Sequence, residues 1–507
     1  MPDAHSGRLI VSFAAAKLAL HLATTSGYGY FRDEFYYLAC ADHPAAGYVD
    51  HPPLSVLWLW LVRALFGDSL FALRLTPAVL GAATVALVGL MARRMGGARW
   101  AQALAMTGAL VAPQYLALDH FYSMNAFDVF FWTLGAFLAL RVLEQPTNGR
   151  WAVLGVALGL GLQNKISVLW MGAGLFVGLL ATRERRLLRT PGPWICGAIA
   201  AALFAPHVAW QIANGWPTRE FIHNAQTQKM AAVSPVQFLS GQVMMMSPFT
   251  LPLWLAGLVW LFRGEAGRRS RLLGWTYVTA FAILLTSGAS RSGYLAPAYS
   301  WLFAAGGVAL ERWLAVPRVA WLRPAFAALL VATGIAIAPL ALPTLPVETY
   351  IRYARALGQA PETEERKELG ALPQFYADMH GWEAIVDAVA LAHARLSPEE
   401  QQSARVFAGD YGVAGAVDLL GRRRGLPPAI SGHNNYWLWG PRGWDGRTVI
   451  VVGGREDQVR PLFESVEQAT TTDCGYCMPY ENGLPVWIAR GLRQPVAEAW
   501  PRLKHYE

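Results

Sequence analysis

Long apolar runs dominate this chain, and they constrain its fold more than any motif does. Stretches near 9–27, 70–91, 100–118, 124–141, 193–213, 241–262, 272–287, 294–311 and 324–341 are long enough to span a bilayer, which takes about 17–25 residues of helix. A further apolar block, 151–182, is broken by Gln163-Asn164-Lys165 and reads as a hairpin of two short spans with the lysine at its tip. Composition agrees: 54% of the residues are hydrophobic and 15% are charged, against roughly 25% charged in soluble chains. The formal charge of +8 does not mark a nucleic-acid binder. Its basic residues form short clusters between apolar segments rather than a docking stripe, so membrane lipids are the expected surroundings and nucleic acid is excluded.

Those clusters set an orientation. Arg93, Arg94 and Arg99 share one connector and Arg141 and Arg150 the next. Three more clusters follow: Arg183, Arg185, Arg186 and Arg189; then Arg263, Arg268, Arg269 and Arg271; then Arg312, Arg318 and Arg323. The alternate connectors, around 28–53, 119–123, 164–166, 214–240 and 288–293, hold few basic residues. By the positive-inside rule the N-terminus is cytoplasmic and the 28–53 connector external. Segment 54–66 is too short for a comfortable span, and counting it as one inverts every later connector. Pro52-Pro53 therefore starts an interfacial helix along the outer surface. The count is about eleven transmembrane helices ending outside. Residues 9–27, with Lys17 and His21 and no small-residue cleavage site, read as a retained span.

From 342 onward the chain is richer in charge, and helix and strand signals alternate. A helix is expected over 381–396 and another over 411–424. The apolar stretch 404–408 precedes the second helix, and strands are expected at 448–452 and 485–489. That pattern predicts a small external α/β domain, 342–507, behind a transmembrane catalytic domain, 1–341, whose first external loop is 28–67. Cys474 and Cys477 lack a strand-to-helix redox context and read as a local structural disulfide in an oxidising compartment.

The chemistry concentrates just after the first span. Tyr30-Phe31-Arg32-Asp33-Glu34-Phe35-Tyr36-Tyr37 is followed by Gly47-Tyr48-Val49-Asp50-His51-Pro52-Pro53-Leu54. Two adjacent carboxylates at a membrane boundary are costly unless solvated, paired or used, and the surrounding aromatics would desolvate one of them. A second group is Asp119, His120, Asn125 and Asp128. Asn125 and Asp128 share one helix face at i, i+3, while Asp119 suits the helix N-terminus as a dipole partner. Lys165 is the third element, and Ser290-Arg291-Ser292-Gly293-Tyr294-Leu295-Ala296-Pro297 the fourth. The connector 214–240, with Arg219, Glu220, His223, Asn224, Gln226 and Lys229, has the length and polarity of a substrate gate.

The aromatic-flanked Asp-Glu and the Gly-Tyr-x-Asp-His-Pro-Pro-Leu turn resemble glycosyltransferase family 39 of the GT-C superfamily. That grouping includes protein O-mannosyltransferases and the bacterial aminoarabinose and galacturonic-acid transferases of lipopolysaccharide. The likeness runs over about residues 9–311. It implies an α-helical polytopic GT-C fold and a polyprenyl-phosphate sugar donor. Asp33 would be the catalytic base, with Glu34 orienting it or contacting a later loop. Gly161-Leu162-Gln163-Asn164-Lys165 resembles the family's Gly-Leu-x-x-x-Lys motif, which implies donor-phosphate binding by Lys165, with Arg291 and Tyr294 completing a clamp. Asp128, with Asn125 and His51, would position the acceptor, or Asp128 and Asp33 would hold a divalent cation. Magnesium or manganese suits such oxygen ligands, although the spacing selects neither. The expected activity is inverting transfer of a hexosyl or pentosyl group to a hydroxyl of a lipid, glycan or protein. The setting would be the outer face of a bacterial inner membrane. The rival reading is a transporter or flippase of a lipid-linked sugar, which would show related halves and midplane sites.

Overall fold

The structure is a computed structural model in which residues 4–287 and 290–507 are described. Among the described residues, sixteen α-helices make up the apolar part of the chain: α1 Ala4–Thr24, α2 Arg32–Asp42, α3 Leu54–Phe66, α4 Leu70–Arg94, α5 Arg99–Val111, α6 Pro113–Leu118, α7 Met124–Glu144, α8 Asn148–Leu162, α9 Val168–Ala181, α10 Pro191–Ala213, α11 Pro217–Asn224, α12 Pro235–Met245, α13 Leu251–Arg263, α14 Arg271–Thr286, α15 Tyr299–Trp313 and α16 Leu322–Ala341. Among the described residues, α1, α4, α7, α10 and α16 are each long and apolar enough to cross a membrane. The pair α12 and α13, bent by 85°, would make a sixth span.

Two expected continuous spans are broken, each for a backbone reason. The 100–118 run divides at Ala112, because Pro113 cannot donate into α5 and instead starts α6. The 241–262 run divides before Pro248, where Ser247 adopts a left-handed φ of 74°. Small residues allow close crossings elsewhere. A Cβ on Gly306 of α15 would collide with the Leu253 carbonyl of α13, so glycine there lets the two backbones meet.

Helix α3 has two faces. Val56, Leu59 and Val62 are buried, whereas Leu57, Trp58, Trp60, Leu61, Leu65 and Phe66 are exposed. The short 54–66 segment is thus a 13-residue helix with one apolar face uncovered.

Beyond α16 the chain forms a five-stranded sheet in the order β2-β1-β3-β5-β4. The strands are β1 Arg405–Ala408, β2 Ala429–Ile430, β3 Thr448–Val452, β4 Phe463–Thr471 and β5 Pro485–Leu492. Strand β1 pairs in parallel with β2 and β3, and β5 runs antiparallel between β3 and β4. The expected helices appear as Trp382–His393 and Tyr411–Leu420. Cys474 and Cys477 are bonded to each other. One buried cluster belongs to this region alone, Ile430, Trp444, Val449, Val451, Phe463 and Trp487 among its members, and a second is shared. Phe35 to Ala41 of α2 share one buried cluster with Trp382, Ile385, Val413, Ala416 and Ile450. Apolar burial thus welds the first connector to the sheet region, and this contact positions the candidate site.

Candidate active site

Asp33 lies in the first turn of α2, next to Arg32. Its side chain is 34% exposed, and its Oδ1 accepts a hydrogen bond from the Tyr411 hydroxyl at 2.9 Å. Glu34 is 0% exposed. Its oxygens accept from Arg74 Nε at 3.0 Å and Nη2 at 2.8 Å, from the Tyr122 amide at 2.9 Å and from the Phe31 amide at 2.8 Å. Of the roles expected for Glu34, the geometry matches contact with a later loop. Burial and full hydrogen bonding leave it no oxygen facing a substrate, so its catalytic assignment becomes a positioning one. The same α2 helix meets the start of α7 again, where the Tyr37 hydroxyl accepts from the Met124 amide at 3.0 Å.

The second and third elements meet directly. Lys165 Nζ donates to Asn125 Oδ1 at 2.7 Å and lies 3.4 Å from Asp128 Oδ2. Asp128 Oδ1 accepts from the Ser167 hydroxyl at 2.5 Å. The Lys165 ammonium also sits 5.3 Å from the Tyr294 ring centre, a cation–π distance, and Tyr294 leans on Trp170. Arg291, three residues before Tyr294, does not share the Asp128 carboxylate with Lys165. It pairs instead with Glu365 at 3.1 Å and Glu364 at 3.5 Å.

Glu365 is a residue that sequence reasoning missed. Its Oε1 lies 3.8 Å from Arg32 Nη2, 3.8 Å from Lys229 Nζ and 3.1 Å from Arg291 Nη2. Burial alone would raise this carboxyl, but Lys229, Arg32 and Arg291 outweigh it and hold Glu365 at about 2. An unbroken run of contacts therefore links the two halves of the site. It passes from Asp33 and Arg32 through Glu365 to Arg291, then through Tyr294 to Lys165 and Asp128. Lys229 comes from the expected gate connector, so that connector does bring a charge to the site. Glu364-Glu365 sits in the polar run 361–368, which on sequence is indistinguishable from a solvated linker. Only the three distant cations reveal it.

Three expectations need correction. Asp119 is not a helix-dipole partner: it is buried in an ion pair with Lys17 of α1 at 2.8 Å, because an intramembrane lysine needs a counter-charge more than a helix end does. His51 is not in the Asn125–Asp128 group. It stacks on Tyr37 at 4.9 Å, lies 3.8 Å from Asp50, and its carbonyl closes the turn by accepting from the Tyr48 amide at 3.1 Å. A divalent cation between Asp33 and Asp128 does not fit these surroundings, since Asp128 already faces an ammonium and a hydroxyl. Among the described residues, no group of three or more His, Cys, Asp or Glu side chains is arranged to hold a metal ion.

A second acidic pair lies behind Arg32. Asp378 Oδ2 is 3.7 Å from Arg32 Nη2. Burial raises the Asp378 carboxyl to about 7, with Arg32 opposing and Asp33 and Glu365 adding to the rise. Burial and the charges of Asp410 and Asp378 push Glu481 further above its ordinary range, against Arg32. Both acids hold protons more tightly folded than unfolded, so their stabilisation is complete below pH ~4 and is lost as pH rises through about 7 and beyond. Glu481→Gln is expected to flatten that decline and to raise the Tm at pH 8 by about 2–4 °C. Melting curves that stay parallel to wild type from pH 5 to 9 would count against this pairing.

The chain is similar to known proteins in sequence over part of its length and in fold over most of it. A family model described as dolichyl-phosphate-mannose-protein mannosyltransferase matches residues 50–210. The lipopolysaccharide core galacturonosyltransferase RgtB of Rhizobium johnstonii is 27% identical over 215 residues, 41% of this chain and 42% of that protein. The lipid A galacturonosyltransferase RgtD of the same organism is 22% identical over 296 residues, 56% of this chain and 60% of that protein. The chain thus spans about half the length of these curated relatives. The structure of ArnT from Cupriavidus metallidurans bound to undecaprenyl phosphate superposes with a TM-score of 0.62 at 15% identity, covering 94% of this chain and 97% of that one. The fold is shared almost end to end.

Proposed function

We propose that this chain, a multi-pass membrane protein of the GT-C glycosyltransferase superfamily, moves a sugar from a polyprenyl-phosphate donor to a hydroxyl acceptor at the outer face of a bacterial inner membrane. The observation that carries the reading is the contact run from Asp33 to Lys165. It ties a partly exposed carboxylate to the cations Arg32, Arg291 and Lys165. In the transfer step, Asp33 takes the proton of the acceptor hydroxyl as its oxygen bonds to the anomeric carbon. The bond from that carbon to the phosphate oxygen breaks, and its electron pair leaves with the phosphate. A single displacement of this kind inverts the anomeric centre. Lys165, backed by Tyr294, stabilises the departing phosphate, and Arg291 lies one turn away to share it. Asn125 and Asp128 hold the Lys165 ammonium in place, and Glu34 fixes α2.

The orientation follows the charge alternation, with the N-terminus cytoplasmic and the 342–507 domain external. We count α5–α6, α8, α9, α14 and α15 as short spans beside the five long helices and the bent pair, which gives the expected eleven. Galacturonic acid is the first sugar to test because two relatives are named as galacturonosyltransferases.

The chain reconstituted in liposomes with undecaprenyl-phosphate galacturonic acid and lipid A should yield lipid A heavier by one sugar, together with free undecaprenyl phosphate. Intact donor crossing the bilayer with no sugar released would favour the transporter instead. Lys165→Met should lower kcat/KM for the donor by about 10²–10³-fold, the scale of losing one charge-stabilising contact. Unchanged donor kinetics would remove Lys165 from the phosphate site.

A further inference from the structure

We propose that Tyr411, supplied by the C-terminal α/β region, is a positioning residue for Asp33, holding the proton-accepting carboxylate through its phenol hydrogen bond. The inference rests on the reading of Asp33 as the base, and it gives the C-terminal region a part in the chemistry.

The geometry begins with a close approach. Helix Tyr411–Leu420 packs on α2 through glycines. A Cβ on Gly415 would lie 2.7 Å from Phe35 Cβ and 2.9 Å from the Phe35 carbonyl oxygen, and one on Gly412 would lie 2.5 Å from Arg32 Cγ. Only residues without a side chain let the two helices come this near, and the approach delivers Tyr411 to Asp33. The first turn of Tyr411–Leu420 is fixed by Asp410, whose Oδ1 accepts from the Gly412 and Val413 amides at 2.7 and 3.0 Å. The Tyr411 ring is then caged. Tyr36 packs on it at 4.6 Å and His433 at 4.6 Å, while the Arg32 guanidinium lies 5.7 Å and Lys229 Nζ 6.0 Å from its centre. Tyr36 is tied to the C-terminal region, accepting from Asn435 Nδ2 at 2.7 Å while donating to Asp50 Oδ1 at 2.9 Å.

An ionised carboxylate offers only acceptors, so in this bond the phenol must donate. Burial, and then the negative charge of Asp33, push the phenol well above its ordinary range, so it keeps its proton at working pH. The bond therefore fixes the Asp33 carboxylate at Oδ1 and leaves its exposed side to the acceptor. The other charged and titratable groups facing this pair are Arg32, Lys229, Asp50, Asp378, Glu365, Tyr36, Tyr37 and His433. All of them remain when Tyr411 becomes phenylalanine.

The test uses the full chain. The infrared carboxylate band that Asp33→Asn deletes is expected to shift in Tyr411→Phe, since its Oδ1 loses a donor. This readout needs no substrate. With undecaprenyl-phosphate galacturonic acid and lipid A, kcat should fall by about tenfold while donor KM stays unchanged. An unmoved infrared band, or a loss carried by donor KM with kcat unchanged, would overturn the proposal. Should Tyr411→Phe not fold, Gly415→Ala, which holds the helix off α2 while keeping the phenol, is read in the same way. Transfer surviving in Asp33→Asn would refute the base itself, whereas the band shift tests the hydrogen bond alone.

Discussion

Arg74→Met should leave almost no folded protein in the membrane. Arg74 and Glu34 are both fully buried, and the guanidinium makes both of the side-chain hydrogen bonds that neutralise this carboxylate. It also donates to the Thr25 carbonyl at 2.7 Å and the Gly29 carbonyl at 2.8 Å, so it fastens the end of α1 to the start of α2. Removing one partner of a buried pair strands the other charge at a cost of about 3–5 kcal/mol. A typical net stability is only about 5–15 kcal/mol. The double variant Arg74→Met with Glu34→Gln removes the stranded charge and should recover much of the loss, although the two amides of Phe31 and Tyr122 then bind a weaker acceptor. Detergent-solubilised yield and melting temperature report both outcomes. Normal yield for Arg74→Met alone would mean that this pair does not hold α2 in place.

The parts of this protein that were readable in its sequence share a physical reason. Spans such as 70–91 and 124–141 announce themselves because each is one uninterrupted apolar run whose burial needs no knowledge of any other segment. Asp33 was equally local: a charged pair among six aromatics at a membrane edge is anomalous wherever it folds. Lys165, Asn125 and Asp128 were each visible as polar residues at apolar boundaries, but their mutual contact spans 40 residues or fewer and was read as separate roles. What stayed hidden depends on distant partners. Strand β4, Phe463–Thr471, is largely exposed and polar, so its apolar signal is weak, and it is recognisable only through its ladder with β5. Glu365 reads as a solvated acid until Arg32, Lys229 and Arg291 are brought to it from three other segments. Asp119 was assigned to a helix end because nothing in its neighbourhood points to Lys17, about a hundred residues earlier. The bend between α12 and α13 likewise follows from one left-handed serine before a proline, which a hydropathy window averages away.

The central claim is that Asp33 accepts the proton of the attacking hydroxyl. Asparagine has nearly the shape of aspartate and can still meet the Tyr411 hydroxyl, so Asp33→Asn should fold, keep the α2 contacts and bind donor as wild type does. It cannot take up a proton at working pH, and the loss of a general base costs about 10²–10⁴-fold in rate. The decisive measurement follows donor binding and sugar transfer side by side in the reconstituted full-length Asp33→Asn variant, using undecaprenyl-phosphate galacturonic acid and lipid A. Wild-type donor affinity with transfer reduced by at least about a hundredfold is the predicted result. Transfer within a few-fold of wild type would contradict it.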